Sequence, residues 1–458
     1  MTASQAEQIA GVRPILKRVV ANAGKLLGGR TVNALLGIGV MAIAARALGA
    51  PVLGVLVLIQ AFVAFLADVV EFQSWQTVLH YGSRPLAEGR TADFQRVVRF
   101  SCVLDAASAA LALAIGVVGS FLFAGHLGWT AAEAPMAALF MVTAVFTVSA
   151  TPTGLLRLFD RFDVMARQAA LIAFIRLVAS AVAWALGAGL EGFLVAYFVA
   201  TLGSWLYLAG SAYAELKRRG LTEGWSWRGP LTEGMPGIWR FAWNTNIAAA
   251  LDVAFTHAAT LMVGAMAGPT QAAFWRVGRQ VADAMAKPAK LLTPALYPEL
   301  ARLRADDHSH AMWRLARNVG LLAGGVGLLL MTATVVFGDA LLGAVLGDAF
   351  AAAGDVMTWQ VAAAVIGICA LPLEPLLISI GKPEAAVRVR LAVGVVFLGA
   401  LPFLISRFGL IGAGAGLAAA AGALALGMLW FILRENGNRE AAAATPPPAT
   451  VKTLEGDD

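Results

Sequence analysis

The chain has 458 residues, of which 59% are hydrophobic and 14% charged, with a mean hydropathy of +0.75. That composition excludes a water-soluble globular protein and describes one that crosses a membrane many times. A spanning helix takes about 20 apolar residues plus a connection, so roughly a dozen helices fill the length and leave no room for a sizeable soluble catalytic domain. The net charge of +6 follows membrane topology, not nucleic acid.

Residues 1–25 are polar and basic and lack the short apolar core and small-residue cleavage site of a removable signal peptide. They read as a cytoplasmic N-terminal segment. Apolar runs follow at 31–49, 53–80, 97–124, 135–158, 168–188, 191–214, 241–265, 271–296, 315–337, 355–380, 386–406 and 409–433, each long enough to cross roughly 30 Å of hydrocarbon. The expected fold is an all-α polytopic membrane protein of about 12 transmembrane helices.

The first six form a bundle over 26–215. The polar stretch 216–237, with Lys217, Arg218 and Arg219, is a cytoplasmic linker, and the second bundle covers 238–434. The tail 435–458, with Pro446-Pro447-Pro448, reads as disordered and cytoplasmic. Most Lys and Arg fall in alternate connections. The opposite loops carry His126, Glu133, Glu191, Asp339 and Asp348, with Arg407 the exception; both termini are therefore expected in the cytoplasm.

An internal repeat with an offset of about 218 residues is visible. Gly49-Ala50-Pro51 matches Ala267-Gly268-Pro269, Tyr81 matches Tyr297, and Arg96 and Arg99 match Arg314 and Arg317. An even number of spans per repeat gives both halves one orientation, so two six-helix bundles should face a central cavity.

No residue pattern offers catalysis. Cys102 and Cys369 both sit in apolar runs, and the chain lacks the zinc-protease, nucleophile-elbow, phosphate-loop and dinucleotide motifs in their structural contexts. Neither a metal nor a cofactor is expected.

The charges within spans carry the chemistry. Arg276, Arg279, Asp283, Lys287 and Lys290 fall within an arc of about 80° on the eighth span, a stripe roughly 21 Å long. Each such charge costs about 2.5–3.5 kcal/mol at the bilayer centre, so the stripe needs partners or a watery cavity. Asp283 offsets part of it at i+4 from Arg279 and i−4 from Lys287; the surplus suits a phosphate or diphosphate, which guanidinium groups grip with two hydrogen bonds. Lys287 and Lys290 can instead snorkel to the cytoplasmic surface. Arg46 and Arg176 are the other span-embedded basic residues and complete the substrate-binding candidates. On the second span, Asp68 and Glu71 either bind a coupling proton or Na+ or pair with Arg276 or Arg279. Asp252 is another ion-coupling candidate, and His257 reads as a packing residue. Asp105 and Glu374 are isolated buried charges, and Pro372 with Pro375 is expected to bend the tenth span.

Ala45-Arg46-Ala47-Leu48-Gly49, Gly54, Ala67-Asp68, Asp252 before Gly264, and Leu292-Thr293-Pro294-Ala295-Leu296-Tyr297-Pro298-Glu299-Leu300 stand at related points of the two halves. On these segments most of 20–434 resembles the multidrug/oligosaccharidyl-lipid/polysaccharide (MOP) exporter superfamily, in its Wzx-type polysaccharide flippase branch. Phe274-Trp275 stands where the family commonly has a tyrosine. The resemblance implies an inner-membrane transporter that flips undecaprenyl-diphosphate-linked oligosaccharide by alternating access. Its partners would be that lipid-linked oligosaccharide, membrane lipids and the polysaccharide polymerase machinery. A cation-coupled multidrug exporter of the same superfamily is the nearest alternative, and a polytopic glycosyltransferase or polymerase a more distant one.

Overall fold

The computed structural model describes residues 3–290 and 309–444, with side chains described over 36–246, 255, 257–287 and 312–435. The described residues are helical with no strand. The first helix, α1 (Ala3–Val70), has 68 residues, which at 1.5 Å each would run roughly 100 Å, about three bilayer cores. It cannot be one crossing. Gly49 divides it, with φ 69° and ψ 171°, a conformation closed to other L-residues, and Pro51 opens the next helix in its first turn. The same corner recurs between α10 (Ile238–Ala267) and α11 (Pro269–Lys290), where Gly268 has φ 91° and ψ 171°.

After α1 come α2 (Ser74–Ala87), α3 (Thr91–Leu122), four short helices α4 (Ala124–Leu127), α5 (Ala134–Phe140), α6 (Val142–Thr147) and α7 (Ala150–Leu158), then α8 (Phe162–Ala185) and α9 (Leu190–Arg218). The second half follows α10 and α11 with α12 (Ser309–Leu346), a 3-10 turn (Asp348–Ala353), α13 (Gly354–Cys369), α14 (Leu373–Ser379) and α15 (Pro383–Ala444), which Gly409 divides at φ 61°. Among the described residues eight segments are long and apolar enough to cross a membrane. Two of them are split by Gly49 and Gly409, and α10 and α11 complete the expected set of about twelve.

Among the described residues three crossings are broken. Pro152 lacks an N–H and its ring collides with the carbonyl four residues back, which is Val148, where the helix stops before restarting at Ala150. Pro372 and Pro375 do the same between α13 and α14, as expected for the tenth span. The break at 71–73, between α1 and α2, has no proline.

One apolar core joins the two halves at the Gly49 end: Leu53, Leu58, Phe62 and Trp129 pack with Val263, Trp275 and Phe350. The contact is tight. A Cβ on Gly54 would lie 1.9 Å from the Pro269 carbonyl oxygen, and one on Gly264 2.1 Å from Leu58 Cδ2. At the opposite, basic end the cores are separate, one built on Phe94 and Leu156, the other on Met312 and Leu376. There, among the described residues, the start of α10 leans on the first half, with Phe241 stacked on His80 at 4.7 Å and Trp243 against Phe72.

The stretch between the halves is stitched to α3. Gln95 Nε2 donates to the Leu221 and Glu223 carbonyls, Arg96 to that of Glu233, and Arg99, 7% exposed, to those of Ser226, Arg228 and Pro230 at 2.6–2.8 Å.

Candidate functional site

The structure divides the polar stripe of α11. Arg276 and Arg279 are three residues apart, hence about 60° apart around the helix. With α1 packed on one side of α11 and α13 on the other, that rotation puts them in different cavities. Arg276 is exposed and faces a chamber of about 190 Å³ between the halves, lined also by Gln60, Thr143, Arg176, Tyr197 and His257. Arg279 faces a cavity of about 670 Å³ inside the second half, where its Nε lies 3.5 Å from Asp283 Oδ1. The expectation of one shared chamber for the pair is corrected accordingly.

The partner of Arg276 is Arg176, on α8. The Arg176 guanidinium lies 4.6 Å from the centroid of the Tyr197 ring and lines the same chamber as Arg276. Among the described residues no carboxylate forms an ion pair with either arginine. Arg176 Nε, Gln60 Nε2 and Thr143 Oγ1 are buried without hydrogen-bond partners, so two like charges and unsatisfied polar atoms converge on one space. Arg176 looked isolated because its counterpart stands about 100 residues away; only tertiary packing brings the two together.

Asp68 does not meet Arg276 or Arg279. Its Oδ2 lies 3.2 Å from His257 Nε2 across the junction between the halves, so His257, expected as a hydrogen-bonded packing residue, has its partner in Asp68 at the rim of the chamber. Glu71 Oε1 accepts the Ser149 N–H at 3.2 Å, away from every arginine of the stripe. Arg46 is not in the chamber: it donates to the carbonyls of Ala344 and Val345, the latter at 2.9 Å. These are among the last carbonyls of α12, which have no partner within the helix. Glu374 is held by Arg390 at 2.8 Å, on the wall of the Arg279 cavity. Lys287 is exposed, as a snorkelling lysine would be. The side chains of Asp252 and Lys290, and the whole of Leu292–Leu300, lie outside the described residues.

The polysaccharide biosynthesis protein family matches residues 19–304. The chain is 34% identical over 345 residues to the inner membrane protein YghQ of Escherichia coli (strain K12), covering 74% of this chain and 96% of that one. Among solved structures it is similar to an inward-facing multidrug resistance MATE family transporter of the MOP superfamily, with a TM-score of 0.70 at 14% identity, covering 90% and 96% of the two chains. A MOP superfamily transporter from Pyrococcus furiosus, described as having a binding pocket of reverse polarity, gives 0.55 at 14% identity over 94% and 97%. An outward-facing MATE structure gives 0.54 at 14% identity over 93% and 96%. With the family matched over more than half its length, the chain belongs to the polysaccharide biosynthesis protein family, and its fold is that of the solved MOP-superfamily transporters.

Proposed function

We propose that the protein is a non-enzymatic flippase that carries undecaprenyl-diphosphate-linked oligosaccharide across the inner membrane, gripping the diphosphate between Arg176 and Arg276. The observation that carries this reading is the convergence of two guanidiniums, one from each half, on a chamber where, among the described residues, no carboxylate forms an ion pair with either. An anion with several acceptor oxygens supplies the missing charge and the missing hydrogen bonds. A lipid-linked substrate leaves its polyprenyl tail in the bilayer, so the protein need enclose only the head.

The bodies that rock are 26–215 and 238–434, with 216–237 travelling with the first because α3 holds it. Placing both termini in the cytoplasm makes the separated end the cytoplasmic one, so the chamber awaits substrate from inside. Lys287, and Lys290 beyond it, then attract the anionic head toward the mouth. Drug-sized ligands occupy sites of roughly 300–1,000 Å³; a basic chamber of about 190 Å³ fits a phosphate group better than an amphiphilic drug cation. A polysaccharide polymerase would receive the flipped product.

The test is complementation of a strain lacking the gene, read as surface polysaccharide, with membrane levels of each variant measured in parallel. Arg176→Ala with Arg276→Ala should abolish export at normal protein level, whereas Arg279→Ala should retain most of it. Wild-type export from the double variant rejects the assignment.

A further inference from the structure

The cavity of the second half, on the other side of α11 from the arginine chamber, differs from that chamber in size and in charge. Its volume is about 670 Å³, against about 190 Å³. The charged groups on its wall are Arg279 and Asp283 from α11, Glu374 from α14 and Arg390 from α15, which makes two guanidiniums and two carboxylates. Their charges sum to zero. A net-charged ligand gains little from such a wall, whereas a neutral one rich in hydrogen-bonding groups finds donors and acceptors together.

The acceptors have capacity to spare. Asp283 Oδ1 stands 3.5 Å from Arg279 Nε, an ion pair too long to count as a good hydrogen bond, and among the described residues no other donor reaches this carboxylate. Both Glu374 oxygens share one Arg390 nitrogen, Nη2, each at 2.8 Å, which uses two of about four acceptor positions. The side chains of Asp283 and Glu374 are 45% and 42% exposed, so both meet water in a space walled by the helices of the second half. The rest of the wall is apolar and includes Phe255 and Leu417. Gly394 makes room for the Phe255 ring: a Cβ there would lie 2.8 Å from its Cε2 and Cζ. A pyranose has a rim of hydroxyls and faces of C–H groups, and a site for it needs carboxylates that accept from the rim beside an aromatic ring that covers a face.

The cavity is also within reach of the diphosphate. Arg276 and Arg279 differ by about 4.5 Å along α11 and about 60° around it, which on a helix about 10–12 Å across separates them by roughly 7 Å. A ligand with its phosphates at Arg276 therefore carries the sugars bonded to them round the face of α11 to Asp283. At about 670 Å³ the space lies in the range for drug-sized ligands, roughly 300–1,000 Å³, enough for a mono- or disaccharide and too little for a whole oligosaccharide.

We propose that this cavity binds the sugars nearest the diphosphate, with Asp283 and Glu374 accepting from their hydroxyls and Phe255 against a ring face, and that it selects the glycan. Arg279 and Arg390 balance the charge of the two carboxylates. The assignment rests on the flippase reading for the carrier of the sugar. Selection follows because a site built to hydrogen-bond a hydroxyl rejects an analogue that lacks it, whereas the diphosphate grip is blind to the glycan.

The experiment uses the full-length protein in nanodiscs of phosphatidylethanolamine and phosphatidylglycerol, with two probes that separate this cavity from the arginine chamber. Methyl glycosides of glucose, galactose, mannose, rhamnose, N-acetylglucosamine and N-acetylgalactosamine carry no phosphate, and their binding is read by saturation-transfer NMR. Inorganic pyrophosphate carries no sugar, and its binding is read by calorimetry. At least one glycoside should bind saturably, with affinity about tenfold weaker in Asp283→Asn and in Phe255→Leu and unchanged in Arg176→Ala with Arg276→Ala. Pyrophosphate should show the reverse. Saturable binding of no glycoside, or an affinity unchanged in both cavity variants, overturns the glycan site and leaves pyrophosphate to judge the flippase reading separately. Native mass spectra in which the wild type retains phosphatidylethanolamine and the cavity variants lose it make the cavity a lipid site, which also overturns the proposal. Should one cavity variant fail to fold, the other decides.

Discussion

Replacing Gly54 by alanine tests whether the joined end of the two halves is a gate. The new Cβ would lie 1.9 Å from the Pro269 carbonyl oxygen and 2.8 Å from its Cα. Both are backbone atoms, so no rotamer change relieves the clash. A carbon and a carbonyl oxygen need about 3.3 Å, which forces the second part of α1 and the start of α11 apart by more than about 1 Å. Overpacking of this kind costs about 1–3 kcal/mol. Because the contact belongs to the state closed at this end, the whole cost bears on the equilibrium between states, a shift of about 5–150-fold toward opening. Alanine is otherwise the better helix former by about 1 kcal/mol, so a weakened helix cannot be the cause of any opening seen.

The assay is a pair of spin-label distances in a background with Cys102 and Cys369 replaced. Labels at Val52 and Met266, 37% and 45% exposed, report the joined end; labels at Arg84 and Lys382, with side chains 81% and 52% exposed, report the basic end. In Gly54→Ala the first distance should gain a longer population while the second gains a shorter one. An unchanged first distance, whether or not the melting temperature falls, refutes the reasoning, since the chain would have absorbed the methyl group without parting the halves.

Arg46→Ala removes hydrogen bonds to the end of α12 from an exposed guanidinium, a loss of roughly 1 kcal/mol, so the same label pairs should move in the same direction by about fivefold; no movement shows that Arg46 is not part of the closure. Arg99→Ala leaves three linker carbonyls without their donor at a cost of about 3 kcal/mol, to be seen as a lower melting temperature and faster proteolysis within 219–237, with Arg99→Lys intermediate. Glu88, on the surface, is held below the ordinary carboxylate value of 4.5 by hydrogen bonds from Arg84 and then Arg90. A depressed value means that its contribution is complete above about pH 4.5 and is lost as pH falls through the lowered value. The melting-temperature gap between wild type and Glu88→Gln should therefore be small at neutral pH, shrink with salt and close in acid; a gap that grows on acidification contradicts the pairing.

The twelve apolar runs and the repeat were legible in the sequence because hydrocarbon thickness imposes a length on every helix and because Gly49 and Gly268 sit at equivalent corners. The bend at Pro372 and Pro375 was legible for the same kind of reason: proline acts on its own chain. The break at Val148 follows from Pro152 by that rule and could have been read from it. The site was legible only in part. Helical periodicity placed Arg276 and Arg279 on one stripe, but a stripe has width, and a helix wedged between two bundles sends neighbouring positions of it to opposite sides. Arg176, Asp105 and His257 each looked solitary along the chain. Their partners are Arg276, the start of α7 and Asp68, and no local pattern encodes contacts between distant segments.

On the proposed reading the two arginines also bias the equilibrium between the two states. At an effective dielectric near 20, unit charges a few ångströms apart repel by about 2–4 kcal/mol, and here one charge belongs to each half. The repulsion opposes any motion that brings Arg176 and Arg276 closer, while the Gly54 and Gly264 contacts hold the other end together. A diphosphate reverses the sign of that term, because each guanidinium is drawn to the anion between them, and the bound state gains most where the halves approach. The substrate thus binds the two states unequally, the one property that lets a ligand drive a conformational change. A neutral sugar of the same size would enter the chamber and leave the halves where they were.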